Sequence, residues 1–279
     1  MKKKTEEPLV ALAVGAHPDD IEFMMAGTLL LLKEAGAEIH VWHLGDGAGG
    51  TAKLGRRAIT TLRAKEARES ARLAGAQSHG PLFGDLQIFY DSSSLARVSA
   101  VVREIKPNII LTHSPNDYME DHQNTCRLVV TAAFSRGMIN HVTQPRRPVC
   151  DEPVAIYHAL PHGLRDGLGQ VIRPDFFVNV APVMDLKREM LACHRSQKEW
   201  LDVSQGMDAY LKEMERLGAE AGRMSRKFKY AEGWRCHSHL GFAASDYRPL
   251  QQLLGRKTCL QAVRLKGKRV DFQPADMKN

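Results

Sequence analysis

An imidazole and two adjacent carboxylates, His17, Asp19 and Asp20, follow directly on the apolar run 9–16. Two carboxylates side by side in sequence project differently, so one can hold a cation while its neighbour stays free to move a proton. A zinc hydrolase needs that division of labour: ligands on the ion, and an unliganded base beside the water it activates. His17 and Asp20 are spaced so that both can converge on one ion from a single turn. Asp121-His122, further along the chain, adds a third neutral or anionic ligand. Two histidines and one carboxylate with an open fourth position form a familiar catalytic zinc set. The purely structural alternative is helix capping, by Asp19 or Asp20 in the first segment and by Asp121 in the second.

The elements around these residues decide whether they can meet. Residues 9–16 read as a buried strand and residues 21–33 as a helix packed on a sheet, which puts His17 just past the carboxyl end of a first strand. Open α/β sheets build their sites there. Residues 38–44 read as a second strand, 56–73 as a helix closed by Gly75, and 94–105 as a helix ended by Lys106-Pro107. Residues 108–112 form a short strand that delivers His113 to its end, and a helix begins near Asp121. Strand and helix in alternation imply a parallel sheet with helices on both faces. Beyond Arg147, prolines punctuate short strands at 154–158 and 176–180, and residues 185–217 carry apolar side chains at helical spacing. The expected fold class is α/β: a Rossmann-like, mostly parallel sheet with a smaller C-terminal elaboration. Residues 8–147 would form the metal-binding core, and 148–279 the strands and long helix that complete the same catalytic domain.

Composition narrows the function classes. With 279 residues, 43% of them hydrophobic, the chain can bury an ample core in one large domain. Its five cysteines are scattered, odd in number and never spaced as CxxC, which argues against a disulfide framework and a cysteine zinc site. The basic start Met1-Lys2-Lys3-Lys4 runs into Thr5-Glu6-Glu7-Pro8, and no small-residue cleavage site precedes His17, so the chain reads as cytoplasmic. No apolar segment approaches the ~20 residues of a membrane span. The net charge of +7 would favour acidic partners, but the densest basic cluster, Arg264, Lys266, Lys268 and Arg269, reads as a solvated tail. Aromatic and basic residues do not interleave as in single-strand binders, so no nucleic-acid partner is expected. The loop 45–50 satisfies GxGxxG and taken alone would suggest a dinucleotide site. It follows the second strand, however, and the first strand's turn carries His17 instead of glycines. The glycines are therefore read as letting backbone approach a sugar or the metal site.

Ala16-His17-Pro18-Asp19-Asp20, taken with Asp121-His122, resembles the PIG-L/LmbE-like family of metal-dependent N-acetylglucosamine deacetylases. Arg63-Ala64-Lys65-Glu66 matches that family's Arg-x-x-Glu helix, and His194-Arg195-Ser196-Gln197 a later His-x-Ser-Gln segment, so the resemblance covers most of the chain. It implies hydrolysis of the acetamide of an N-acetylglucosamine-type conjugate, a small amino-sugar partner, and a homo-oligomer. Carried over position by position, His17, Asp20 and His122 would hold Zn2+, although Fe(II), Mn(II) or Co(II) would accept the same ligands. Asp19 would be the general base, Arg63 would hold part of the sugar or its aglycone, and Asp121 would orient His122 or a neighbour. Many family members read His-Pro-Asp-His where this chain reads Met119-Glu120-Asp121-His122. A thioether at this substrate-facing position can neither steady an oxyanion nor protonate a leaving amine. Candidates for that role are His237 and His239, reaching the pocket from the C-terminal segment or a neighbouring subunit, or His113. His194, on a long helix, is read as a packing or hydrogen-bonding residue. The competing class is a nucleotide- or sugar-binding Rossmann-like module without hydrolytic activity, built on the glycine loop.

Overall fold

The structure is a computed structural model that describes residues 7–198, 209–261, 263–265 and 268–270. Strand β1 (Val10–Gly15) leads through two short helices, α1 (Asp20–Met24) and α2 (Ala26–Glu34), to β2 (Glu38–His43). Helix α3 (Arg56–Ala74), β3 (Gln77–His79), α4 (Ser92–Ile105), β4 (Ile109–Thr112) and α5 (Glu120–Phe134) follow. The second half contributes β5 (Ala155–Ala159), β6 (Phe176–Asn179), α6 (Met184–Ala192), α7 (Ala209–Ser225), β7 (Ala231–Cys236), α8 (Pro249–Leu254) and β8 (Thr258–Leu260).

These strands form one sheet in the order β3-β2-β1-β4-β5-β7-β6-β8. Pairing is parallel from β3 through β5 and antiparallel from β5 through β8. Alternate residues of β1 enter opposite cores. Ala11 and Ala13 face the layer of α2 and α6, while Leu12 and Val14 face α4 and α5. A strand buried on both faces must read as an uninterrupted apolar run, and residues 10–15 do. Strand β1 lies between β2 and β4, so the chain leaves it in one direction and returns on the other side. That is the topological switch point where open α/β sheets place their sites.

Three expectations change. The single helix over 21–33 is two, because Met25 (φ −133°, ψ −23°) leaves the helical region. The helix over 185–217 is interrupted: α6 ends at Ala192, with Cys193 and His194 outside it, α7 is described over Ala209–Ser225, and residues 199–208 lie outside the described residues. The basic C-terminal cluster is not simply a tail. Arg264 belongs to β9 (Val263–Leu265), and Lys268 and Arg269 to β10 (Lys268–Val270), an antiparallel pair. Lys266 and the basic start Met1–Lys4 lie outside the described residues. No described helix is long and apolar enough to cross a membrane.

The break at Met25 creates a second helix N-terminus inside the protein, and no local side chain caps it. The carboxylate of Glu232, on β7, does so from a distance. Its oxygens accept the Gly27 and Thr28 N–H groups at 2.8 and 2.7 Å, and Lys187 Nζ pairs with it at 2.6 Å. Lys187 also donates to the Phe23 carbonyl at 2.9 Å. Breaking such a buried, hydrogen-bonded pair by removing one partner costs about 3–5 kcal/mol. Glu232→Ala should therefore lower the unfolding free energy by roughly 3 kcal/mol. Urea unfolding of the two proteins measures it, and a loss below 1 kcal/mol would show that the pair contributes little.

Candidate metal centre

His17 follows β1 and His122 lies in the first turn of α5, just beyond β4. Adjacent parallel strands thus bring the two motifs to one edge of the sheet. One ligand atom each from His17, Asp20 and His122 falls within 4.8 Å of the others. His17 Nδ1 is 3.6 Å from Asp20 Oδ2, and His122 Nε2 is 3.4 Å from Asp20 Oδ1. His122 Nε2 is buried and has no hydrogen-bond partner. Each imidazole is held from behind by a carboxylate: His17 Nε2 by Asp121 Oδ2 and His122 Nδ1 by Asp117 Oδ1, both at 3.0 Å. A carboxylate on the far ring nitrogen fixes the tautomer and rotation of a metal-ligating histidine and raises its basicity. The residues fit a divalent transition metal. Two further groupings, His113 with Asp117 and His122, and His17 with Asp85 and Asp121, share these imidazoles. His113 Nε2 already accepts the Ala16 N–H at 2.9 Å, which leaves it a structural part of the wall, stacked 4.0 Å from His122.

Charge follows the same pattern. Burial alone would lower the His17 pKa, yet the Asp121, Asp20 and Asp85 carboxylates raise it to about 10. His122 is likewise raised to about 10 against burial, by Asp20 and Asp117. Burial would raise Asp20, but His122 and His113 hold it well below the usual carboxylate range.

Asp19 is different. It occupies the N-cap position of α1 but makes no side-chain cap bond, so capping does not account for it. Its backbone has φ 113°, a region that costs a non-glycine residue ~1–3 kcal/mol and recurs at functional sites. That turn sends the carboxylate to Tyr210, whose hydroxyl donates to Oδ2 at 2.7 Å, with Arg63 Nη2 3.9 Å from Oδ1. Burial raises its pKa and Asp20's charge adds to the rise, with Arg63 opposing. A raised carboxylate beside a metal site suits a general base.

These residues line an open cavity of about 720 Å³, together with Arg63, Met119 and His113. Arg63 is buried and gives its terminal nitrogens to backbone, Nη1 to the Gly47 carbonyl at 2.9 Å and Nη2 to that of Pro18 at 2.7 Å. It ties the His17–Asp20 turn to the glycine loop. Gly47 has φ 70°, and a Cβ there would meet Arg63 Nε at 2.7 Å, so the loop's glycine serves close packing over the arginine. Met119 is the N-cap of α5 and faces the cavity. Within one chain His237 and His239 do not reach it. Strand β7 runs antiparallel to β5, so its end lies beside the start of β5, where His237 N–H donates to the Ile156 carbonyl. The two line a separate small pocket with Tyr247 and Arg248, and His237 Nδ1 pairs with His158 Nε2 at 3.0 Å.

Sequence reasoning missed Asp117, Asp85, Tyr210 and His162, all of which hold or line the centre. Asp117 sits one turn ahead of His122, a spacing that could have flagged it; Tyr210 and His162 carry no local signal. Asp121 orients His17, not the adjacent His122. His194 is fully buried and pairs with Glu22 at 3.1 Å, beneath the site.

Residues 12–133 match the family model described as PIG-L: GlcNAc-PI de-N-acetylase. The chain is 26% identical over 231 residues to a diacetylchitobiose deacetylase of Thermococcus kodakarensis, covering 80% of this chain and 81% of that one. It is 28% identical over 237 residues to a 4-oxalmesaconate hydratase of Pseudomonas putida, covering 80% and 87%. The fold resembles the crystal structure of an N,N'-diacetylchitobiose deacetylase from Pyrococcus horikoshii, with a TM-score of 0.68, 22% identity, and coverage of 83% and 84%.

Because the raised His17 and His122 pKa values exceed the unfolded value of 6.5, their ion pairs stabilise the metal-free protein fully below about 6.5, and that stability is lost as pH rises through about 10. A metal needs both imidazoles neutral, so zinc uptake near pH 7.5 should release about two protons. Calorimetry in buffers of different ionisation enthalpy reads this number, and zero release would contradict the assignment. His122→Ala should abolish stoichiometric metal content, measured by elemental analysis.

Proposed function

The chain belongs to the PIG-L family, and from that premise we propose that it hydrolyses the acetamide of an N-acetylglucosamine-type conjugate, releasing acetate and the free amine. The observation that carries this reading is the division between the two aspartates: Asp20 points between His17 and His122, while Asp19 is turned away onto Tyr210 and Arg63. Bound by His17, Asp20 and His122, a divalent ion such as zinc supplies Lewis-acid polarisation of the amide oxygen and lowers the pKa of water toward about 7.

Everything else falls to the chain's own residues. Asp19 takes a proton from the attacking water and passes the same proton to the nitrogen as the C–N bond breaks. The Tyr210 hydroxyl and Arg63 keep its carboxylate aimed. Met119 forms wall and donates nothing. The donor that the amide oxygen needs as it gains charge is assigned to His162, which follows β5 and lines the cavity. Its ring packs edge-on against Phe23, with centroids 5.3 Å apart, and among the described residues no hydrogen bond or ion pair engages it. Burial lowers its pKa against the pull of Glu213, Asp19 and Asp20, so it offers a neutral N–H at neutral pH. His17, His122 and His113 are already committed to carboxylates or backbone.

Asp19→Asn should keep metal bound and lower acetate release by roughly 10²–10⁴, the worth of a general base. Activity within threefold of wild type would put the base elsewhere. His162→Ala should lower kcat about a hundredfold with metal retained, as for loss of one oxyanion donor, whereas His237→Ala and His239→Ala should leave it near normal. A large effect at His237 or His239 with none at His162 would reverse the assignment.

A further inference from the structure

The cavity's charge is divided by depth. Its floor holds Asp19, Asp20 and Asp85 around the imidazoles, and among the described lining residues the one guanidinium or ammonium group is that of Arg63. That guanidinium is spent on the Gly47 and Pro18 carbonyls and faces Asp19. The more exposed part of the wall is uncharged, formed by Leu86, Tyr118 and Met119, with the buried Leu160 and Pro161 behind it. Leu86 and Tyr118 are 71% and 50% exposed. The mouth's carboxylate, Glu213, is bound at both oxygens by Arg216 at 2.7 Å, and Arg216 also donates to Glu220. Its charge is therefore matched and Arg216 is not free to receive an anion.

A carboxylate or phosphate on the distal part of a substrate would thus leave water for a wall in which the described lining residues offer no free cation. Desolvating an anion without a partner is costly, and specificity arises as much from such unpaired charge as from good contacts. An uncharged pyranose meets no such obstacle, since its C–H face suits exposed aromatic and aliphatic side chains and its hydroxyls stay at the open rim. We infer that this site selects N-acetylated sugars whose distal portion is uncharged, a neutral saccharide in particular, and discriminates against carboxylate- or phosphate-bearing aglycones. The inference rests on the deacetylase reading above and names its substrate class.

Titration calorimetry with metal-loaded Asp19→Asn protein tests it without turnover. The probes are N,N'-diacetylchitobiose and the disaccharide of the same length in which glucuronate replaces the distal sugar. Asp19→Asn removes a negative charge and so biases the comparison against the inference. The neutral disaccharide should bind at least tenfold more tightly, about 1.4 kcal/mol. Equal affinity, tighter binding of the uronate, or binding of neither overturns the inference. Leu86→Arg, which adds a cation at an exposed position of the mouth, should tighten uronate binding at least fivefold, and no gain would overturn the charge argument. Acetate release by the wild type separates the two readings. Release from both disaccharides at equal kcat/KM sinks the selectivity and leaves deacetylation standing. Selective binding with no acetate from either compound sinks deacetylation and leaves the selectivity.

Discussion

A carboxylate stands behind each imidazole of the centre, Asp121 behind His17 and Asp117 behind His122, and the remaining geometry depends on those two contacts. They turn one nitrogen of each ring toward Asp20 and fix which nitrogen remains available. They also couple separate pieces of chain. Asp121 Oδ2 accepts the Leu86 N–H as well as His17, so the turn after β1, the loop before α4 and the start of α5 are set by one side chain. A site preorganised in this way spends little free energy on ordering its ligands when a cation arrives.

The same logic extends through the layer beneath. Glu22 lies buried between His194, His43 and the Ser70 hydroxyl, and Glu66 accepts from the Ser196 N–H and hydroxyl. These contacts bind α1 to α3 and to the segment after α6. Burial alone would raise the Glu22 carboxyl's pKa, and His194 and His43 bring it well below the usual range. The Ser70–Glu22 and Ser196–Glu66 contacts are hydrogen bonds, whereas His43 and His194 meet Glu22 as ion-pair contacts without hydrogen-bond geometry. Here they hold α1, the short helix that carries Asp20 and Asp19 at its start, in an orientation that a five-residue helix could not maintain alone.

The relatives divide between a deacetylase and a hydratase, and both reactions use water, so a site that activates water fits either. The turns after β1 and β4 deliver the candidate metal ligands and Asp19, whereas the turn after β5, the loop around Leu86 and helix α7 supply His162, Leu86, Tyr210 and Glu213 to the cavity wall.

Much was legible in the sequence because local periodicity and short-range spacing carry it. Residues 10–15 are apolar on both faces and form a central strand; residues 109–111 are likewise apolar and buried, and a histidine follows each strand, His17 after Ala16 and His113 directly after Thr112. His17, Asp19 and Asp20 lie within one turn, so the divergence of the two adjacent carboxylates was legible, although the φ of 113° and the Tyr210 and Arg63 contacts that aim Asp19 were not. The break at Met25 was not legible, because the cap that makes it tolerable, Glu232, lies on a distant strand. Nor was the placement of His237 and His239, since a cluster of polar residues does not reveal that β7 runs antiparallel and carries its end away from the cavity. Tyr210 and His162 reach Asp19 and the cavity wall only through packing between elements far apart in the chain. Local sequence determined the candidate ligands, the adjacent Asp19 and the strands that present them. Tertiary contacts decided that Asp121 stands behind His17 and which side chains line the cavity, because those interactions join residues whose separation leaves no periodic trace.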